Sequence, residues 1–345
     1  MTKKLILITL IPMTLALQGA FVMKKGQPLK KEQEITQNEP TKTQATQTNN
    51  SSYLGKKIFE INFNKHSTGS YSMSMFNNDF MNSNGESLQS SGTSGPGESL
   101  SIVEDNNEKV LRVLYKKGKI SLGKYPYTST YTGFQSIITI PKKNRPKEDI
   151  YNPQEVTLEY SVKFENNFEW VIGGKLPGLA GGTVPGGGEY LQKGKMTNGF
   201  SARFMWHVMK GKPGMIQYLY HPGRAGAYGQ KVYGTGPLLS KSNPAKALNT
   251  RDYNTMMVLQ KNKWYKIRQT IKANTPKKAN GTMKIWIDDA LTASIGGLKY
   301  IADSKHGTYS VDKLFFSTFY GGSSMDYAPS RNTYTRFKNI RIYVK

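Results

Sequence analysis

The chain contains no cysteine and only four histidines. Disulfide bridges, thiolate nucleophiles and cysteine-ligated zinc are therefore excluded. His207 and His221 lie 14 residues apart with no ligand-like spacing, so neither a metal nor any other cofactor is expected. Acidic residues are scarce, with 23 Asp and Glu against 48 Lys and Arg. No E-x-D-x-x-E strand of the kind a jelly-roll glycosidase needs is present, which argues against hydrolysis by paired carboxylates. Long apolar stripes of helical period are missing too, which argues against a helical bundle. The glycine-rich run around Lys175 is not a nucleotide phosphate loop, because Leu176 stands where Ser or Thr is required.

What the chain does hold is positive charge, glycine and tyrosine. The formal net charge is +25 and the pI is near 9.8. Residues 1–52 carry seven Lys and three Glu, so +21 of that charge belongs to the remainder. So large an excess implies a polyanionic partner, whether nucleic acid, an anionic membrane or an acidic polysaccharide. A lysine-rich proteome is the plainer explanation of the same number. The 34 glycines and 21 tyrosines favour many strands joined by turns.

Residues 1–23 read as a targeting segment. Lys3 and Lys4 precede the apolar run Leu5 to Leu17, and a small-residue site lies at Gly19-Ala20. Extended through Met23, the run approaches the roughly 20 residues that span a bilayer, so a cleaved signal and an uncleaved membrane anchor both fit. Either places the protein outside the cell, secreted or on a particle such as a virion, or tethered to a membrane. Residues 24–52 are polar and expected to form a disordered linker. The domain expected over 53–345 begins with KKIFEINFN. Val156, Leu158, Tyr160, Val162 and Phe164 alternate with polar residues, a period of two that predicts a strand with one buried face. Shorter patterns recur at 264–273, 282–288, 313–322 and 335–344, and Asp288-Asp289 reads as a turn. The fold class expected is all-β: a jelly-roll β-sandwich with a concave substrate-binding sheet.

The candidate site lies between residues 173 and 221. In FSARFMW, Ser201, Arg203 and Met205 share one face, and Phe200, Ala202, Phe204 and Trp206 share the other. In the following IQYLYHP, Tyr218 and Tyr220 share a face and Leu219 opposes them. Arginine binds carboxylates through two parallel hydrogen bonds. Lysine supplies a second cation, or a base if neighbouring positive charge lowers its proton affinity. Tyrosine serves as acid or, ionised beside cations, as base. Lys175, Ser201, Arg203, Tyr218 and Tyr220 together suit β-elimination on a uronic-acid polymer, with His221 the nearest imidazole and His207 the alternative. Taken singly each has a plainer reading: a strand tyrosine usually packs, a surface arginine is usually solvated, and the glycines can be turns of positive φ.

In combination, GGKLPGLAGG, GFSARFMW, YLY and FFSTFYGGSSMDYAPS resemble polysaccharide lyase family 14 and the related glucuronan lyases, in order and spacing across roughly residues 155–345. The resemblance implies a β-jelly roll and metal-independent β-elimination. It places the family's catalytic lysine on Lys175, its Ser and Arg on Ser201 and Arg203, and its two tyrosines on Tyr218 and Tyr220. It also suggests Tyr320 as a wall of the substrate cleft. The Lys- and Asn-rich composition resembles the algal-virus members more than the molluscan ones, which directs the expected substrate toward glucuronate-containing cell-wall polymers rather than alginate. The competing reading is a non-catalytic, lectin-like module for acidic polysaccharide. Nucleic acid is not the expected partner, since no recognition helix is apparent. The protein is expected to act as a monomer.

Overall fold

The computed structural model describes residues 53–80, 90–94, 99–121, 132–140, 154–182, 184–185, 199–222, 229–232, 236–237, 257–300, 311–322 and 324–345. The expectations for residues 1–23 and 24–52 lie outside these. Among the described residues no helix is long and apolar enough to cross a membrane.

Two sheets stack face to face as a jelly-roll sandwich. The larger has ten strands: β1 (Lys56–Ile61), β2 (Gly69–Ser70), β4 (Leu100–Asp105), β5 (Glu108–Tyr115), β7 (Glu155–Phe164), β12 (Gly236–Pro237), β13 (Trp264–Lys272), β14 (Gly281–Ile287), β15 (Ala290–Leu298) and β17 (Thr333–Val344). The smaller has seven: β3 (Ser90–Ser94), β6 (Phe134–Thr139), β8 (Gly173–Gly182), β9 (Gly199–Met209), β10 (Lys212–Tyr220), β11 (Gln230–Val232) and β16 (Lys313–Tyr320). Its order across the sheet is β11-β10-β9-β8-β16-β6-β3, all antiparallel. A short helix, α1 (Met73–Asp79), starts at a Ser72 cap whose Oγ accepts from the Met75 amide.

Strand alternation fills the space between the sheets. Val156, Leu158, Tyr160, Val162 and Phe164 of β7 all turn inward and are fully buried, as their period of two predicts. They meet Leu176, Leu179, Phe204 and Trp206 of the smaller sheet, with Tyr160 edge-on to Phe204 and Phe164 edge-on to Trp206. Asp288 and Asp289 form the β14–β15 hairpin turn with φ of 50° and 65°, the left-handed pair that a two-residue hairpin loop requires.

The glycine run is a strand, not a set of turns. Of its glycines only Gly182, at the end, has positive φ. Gly174 faces the core, where the Trp206 ring occupies the place of a side chain: an added Cβ would sit 2.1 Å from Trp206 Cη2 and 2.4 Å from the Phe319 carbonyl oxygen. Gly174→Ala should therefore cost about 1–3 kcal/mol through overpacking, read as a lower urea midpoint at unchanged slope. Pro177 is tolerated in the middle of this strand because the β8–β9 register slips between Leu176 and Gly178. Just past the slip, the Leu179 amide donates across the sandwich to Gln269 Oε1 at 2.8 Å. Gln269 Nε2 donates to the Ala202 carbonyl and to Gln217 Oε1, and Gln217 Nε2 donates to the Arg203 carbonyl at 2.6 Å. This buried amide pair satisfies backbone groups that the slip leaves over and fixes the main chain beneath Arg203.

The two outward faces differ in charge. On the larger sheet, Glu159 meets Arg268 and Arg341, Glu165 meets Arg112 and Arg336, and Lys163 meets Asp105. The seven strands of the smaller sheet contain no Asp or Glu, yet they carry Lys175, Arg203, Lys212, Lys231 and Lys313.

Candidate active site

The antiparallel register of the smaller sheet sets its outward side chains in rows. Ser201 lies opposite Ala180 and Tyr220; Arg203 lies opposite Gly178 and Tyr218; Met205 lies opposite Lys175 and Ile216. Lys231 of β11 continues the Arg203–Tyr218 row. Cross-strand partners project from the same face. Lys175, Ser201, Arg203, Tyr218 and Tyr220 are thus gathered on three neighbouring strands. Met205, Met209, Ile216, Tyr218 and Tyr220 form an apolar cluster separate from the core, with Tyr327 packed against it.

Contacts within the set are close. Lys175 Nζ stands 4.1 Å from the Tyr218 ring centroid and 3.5 Å from Met205 Sδ. The Tyr218 and Tyr220 rings meet edge-to-face at 5.4 Å. Gly229 lies against both: a Cβ there would come within 2.5 Å of Tyr218 Cε1 and 2.7 Å of Tyr220 Cε2. The Arg203 guanidinium lies 4.4 Å from the Phe315 ring, and its Nη1 donates to Ser317 Oγ at 3.2 Å. Ser317 Oγ in turn donates to Gln135 Oε1. Arg203 Nε is buried and has no hydrogen-bond partner among the described residues. A buried donor left unpaired is costly, and a carboxylate would satisfy it. Ser201 Oγ donates to the Pro185 carbonyl at 2.7 Å, which leaves its oxygen free to accept.

Burial governs the protonation of this site. Lys175 is 8% exposed, and removal from water, with Arg203 and then Lys231 nearby, holds its amine well below the usual lysine range. No carboxylate on the strands of this sheet offsets these cations. His207, on the same outward face, is lowered to about 4 by burial and then by Lys231 and Lys175. It is neutral at physiological pH, with Nδ1 donating to the Ile172 carbonyl at 2.9 Å and Nε2 accepting from Lys231 Nζ at 3.0 Å.

Two residues fall away from the set. Tyr320 faces the core rather than the substrate side. It is fully buried among Tyr115, Phe168 and Trp206, and its hydroxyl donates to the Glu169 carbonyl. Burial raises its phenol far above the usual range, so it exchanges no proton near neutral pH. Along β16 the outward positions are Phe315, Ser317 and Phe319. His221 follows Tyr220 in the chain and so turns away from it, with Nε2 against Gln230 Oε1 at 3.1 Å and Nδ1 against the Lys299 carbonyl at 3.3 Å, toward the other sheet. Conversely, Lys231, Ser317 and Gln135 adjoin these residues without having been singled out: Ser317 lies inside the FFSTFYGGSSMDYAPS motif, whereas Lys231 and Gln135 carry no motif and are placed by strand register.

The family described as Polysaccharide lyase 14 matches residues 103–340. Curated protein sequences give no match. Among solved structures, the alginate lyase Aly36B superposes with a TM-score of 0.62 at 22% identity, covering 84% of this chain and 97% of its own. A variant of it is seen in complex with an alginate tetrasaccharide. The marine alginate lyase from Aplysia kurodai gives 0.58 at 25% identity, covering 84% of this chain and 100% of that one. The alginate lyase vAL-1 from Chlorella virus gives 0.53 at 17% identity, covering 77% and 97%.

Proposed function

Because this chain belongs to polysaccharide lyase family 14, we propose that its outward face cleaves a uronic-acid polymer by β-elimination with Lys175 as the base. The observation that carries this is the acid-free, seven-stranded sheet on which a lysine of lowered proton affinity stands beside a buried, incompletely paired arginine and two tyrosines. Arg203 neutralises the uronate carboxylate, which makes the adjacent C5 proton more acidic. The Lys175 amine takes that proton, and the C5–H electrons form the C4=C5 double bond. The C4–O4 bond breaks, and O4 receives a proton from the hydroxyl of Tyr218 or Tyr220. One cut yields an unsaturated non-reducing end and a new reducing end. The Ser201 hydroxyl orients the sugar.

The substrate we favour is glucuronate-containing algal cell-wall polymer, on the grounds of composition; alginate, the polymer named for the relatives, is the other member of the same class. Action outside the cell rests on the leader-like residues 1–23. The test is incubation of the purified protein with polyglucuronate, polymannuronate and polyguluronate. A rise in ultraviolet absorbance from the new double bond is expected with at least one polymer. Binding to these polymers with no unsaturated product would instead make the protein a lectin-like module.

A further inference from the structure

The hydrogen bonds leading away from the Arg203 guanidinium run in one direction. Arginine only donates, so Ser317 Oγ accepts the 3.2 Å bond from Arg203 Nη1. The serine keeps its own proton and gives it to Gln135 Oε1 at 3.1 Å. The reverse orientation of the amide would set two donors on one hydroxyl and leave the serine proton without an acceptor. Gln135 Oε1 is therefore committed to Ser317, and Gln135 Nε2 ends the chain with no hydrogen bond of its own among the described residues. Register sets this end on the outward face, where Gln135 of β6 lies opposite Ser317 of β16. Phe134, Ser136 and Ile138 turn into the sandwich and are buried, whereas Gln135 is half-buried and its amide nitrogen stays open to solvent. The guanidinium reaches this side by crossing Gly178 of β8, which stands opposite both Arg203 and Phe315 and has no side chain to block the way. Only two hydrogen bonds separate Arg203 from Gln135, a span comparable with one sugar ring. The other outward side chains of β6, Ile137 and Thr139, are uncharged, and Lys313 at the far end of β16 is paired with Asp312 at 2.8 Å.

We propose that Gln135 is a further substrate-binding residue, whose Nε2 donates to a hydroxyl oxygen of the sugar next to the one whose carboxylate meets Arg203. This rests on the polyuronate reading of the face. A glutamine amide that can turn over presents donor and acceptor alike. Here the Ser317 proton fixes it as a donor, and a sugar hydroxyl supplies the acceptor it lacks. The donor is neutral, so it adds affinity without drawing a second carboxylate away from Arg203. Holding the neighbouring sugar fixes the register of the polymer along the sheet.

The test measures binding of uronate oligosaccharides by calorimetry in Lys175→Ala protein, where the ligand is spared from cleavage, and adds Gln135→Met or Gln135→Glu to that background. Each protein is offered the free acid and its methyl ester. Gln135→Met should weaken binding of both ligands about three- to tenfold, the loss of one neutral hydrogen bond. The response of free-acid binding to added salt should not change, since no charge has been removed. Gln135→Glu keeps an acceptor for Ser317 Oγ but loses the N–H donors. On the uncharged ester, where repulsion plays no part, it should lose as much as Gln135→Met. Unchanged affinity in Gln135→Met, or a Gln135→Glu protein that binds the ester as tightly as its background, would overturn the assignment. A loss confined to the free acid would overturn it too, because Gln135 would then act only as a brace for Arg203. A parent that binds uronate oligosaccharides yet yields no unsaturated product would remove the lyase reading alone, whereas one that binds none would remove both.

Discussion

Lys175→Ala should lower kcat by about 100- to 10,000-fold on whichever polyuronate the parent cleaves, the range expected when a general base is removed. KM should change much less, because in the proposed mechanism Arg203 still meets the uronate carboxylate. The argument rests on protonation state. An exposed lysine is protonated at neutral pH and cannot accept a proton; Lys175 is buried and faces Arg203 and Lys231 with no acid on the sheet to offset them. Its amine therefore gives up its proton at lower pH than an exposed lysine does. Activity should rise with pH through the folded-state value of Lys175, and a small primary amine added to Lys175→Ala should restore part of the rate. Stability should move oppositely. The folded protein holds Lys175 below the unfolded reference, so between the two values the unfolded chain binds one more proton and stability increases with pH. Lys175→Met removes this penalty. It should melt at an equal or higher temperature than the parent, with the largest advantage at low pH and none as pH approaches the unfolded value. An inactive variant of lower thermal midpoint would point to a structural role instead.

The parity of each strand was legible in the sequence, and that alone assembles most of the site. A period of two is fixed by covalent geometry, so Ser201 and Arg203 must share a face, as must Tyr218 and Tyr220. FSARFMW also declares which face is which, because one side is uniformly apolar. β16 does not: in KLFFSTFY both faces are largely aromatic, and nothing local says that Phe316 and Tyr320 turn to the core while Phe315 and Phe319 turn out. That ambiguity accounts for the misplaced Tyr320. His221 failed for a different reason, since adjacency in the chain means opposition across a strand. GGKLPGLAGG has no strand propensity, and its place at the heart of a sheet follows from Trp206 and the Ala202 carbonyl, which fill the space Cβ atoms would need at Gly174 and Gly178. Lys231 sits in a three-residue strand without periodicity, and only long-range pairing with β10 brings it to Tyr218.

Arg203→Ala should reduce kcat/KM by about 100- to 1,000-fold, the scale seen when one electrostatic stabiliser of developing charge is lost. Two features of the structure single it out. The Nε donor is buried without a partner, while Nη1 is held by Ser317, so the guanidinium is oriented yet incompletely satisfied. Its main-chain carbonyl is pinned by Gln217, whose amide is held by Gln269 from the opposite sheet, so the arginine cannot drift to find another partner. A bound carboxylate accepts from the idle donor, and as C5 loses its proton the negative charge delocalised onto that carboxylate grows. The contact is therefore stronger in the transition state than in the bound substrate, and the loss should fall on kcat as well as on KM. Arg203→Lys should recover little, because a single ammonium cannot reproduce the fork geometry. Methyl-esterified polyuronate supplies the decisive comparison. The ester carries no charge for Arg203 to meet, so the parent should cleave it far more slowly than the free acid. Arg203→Ala should show only a small further loss on the ester. A variant that loses as much on the ester as on the acid would place Arg203 in the scaffold of the sheet and remove it from the chemistry.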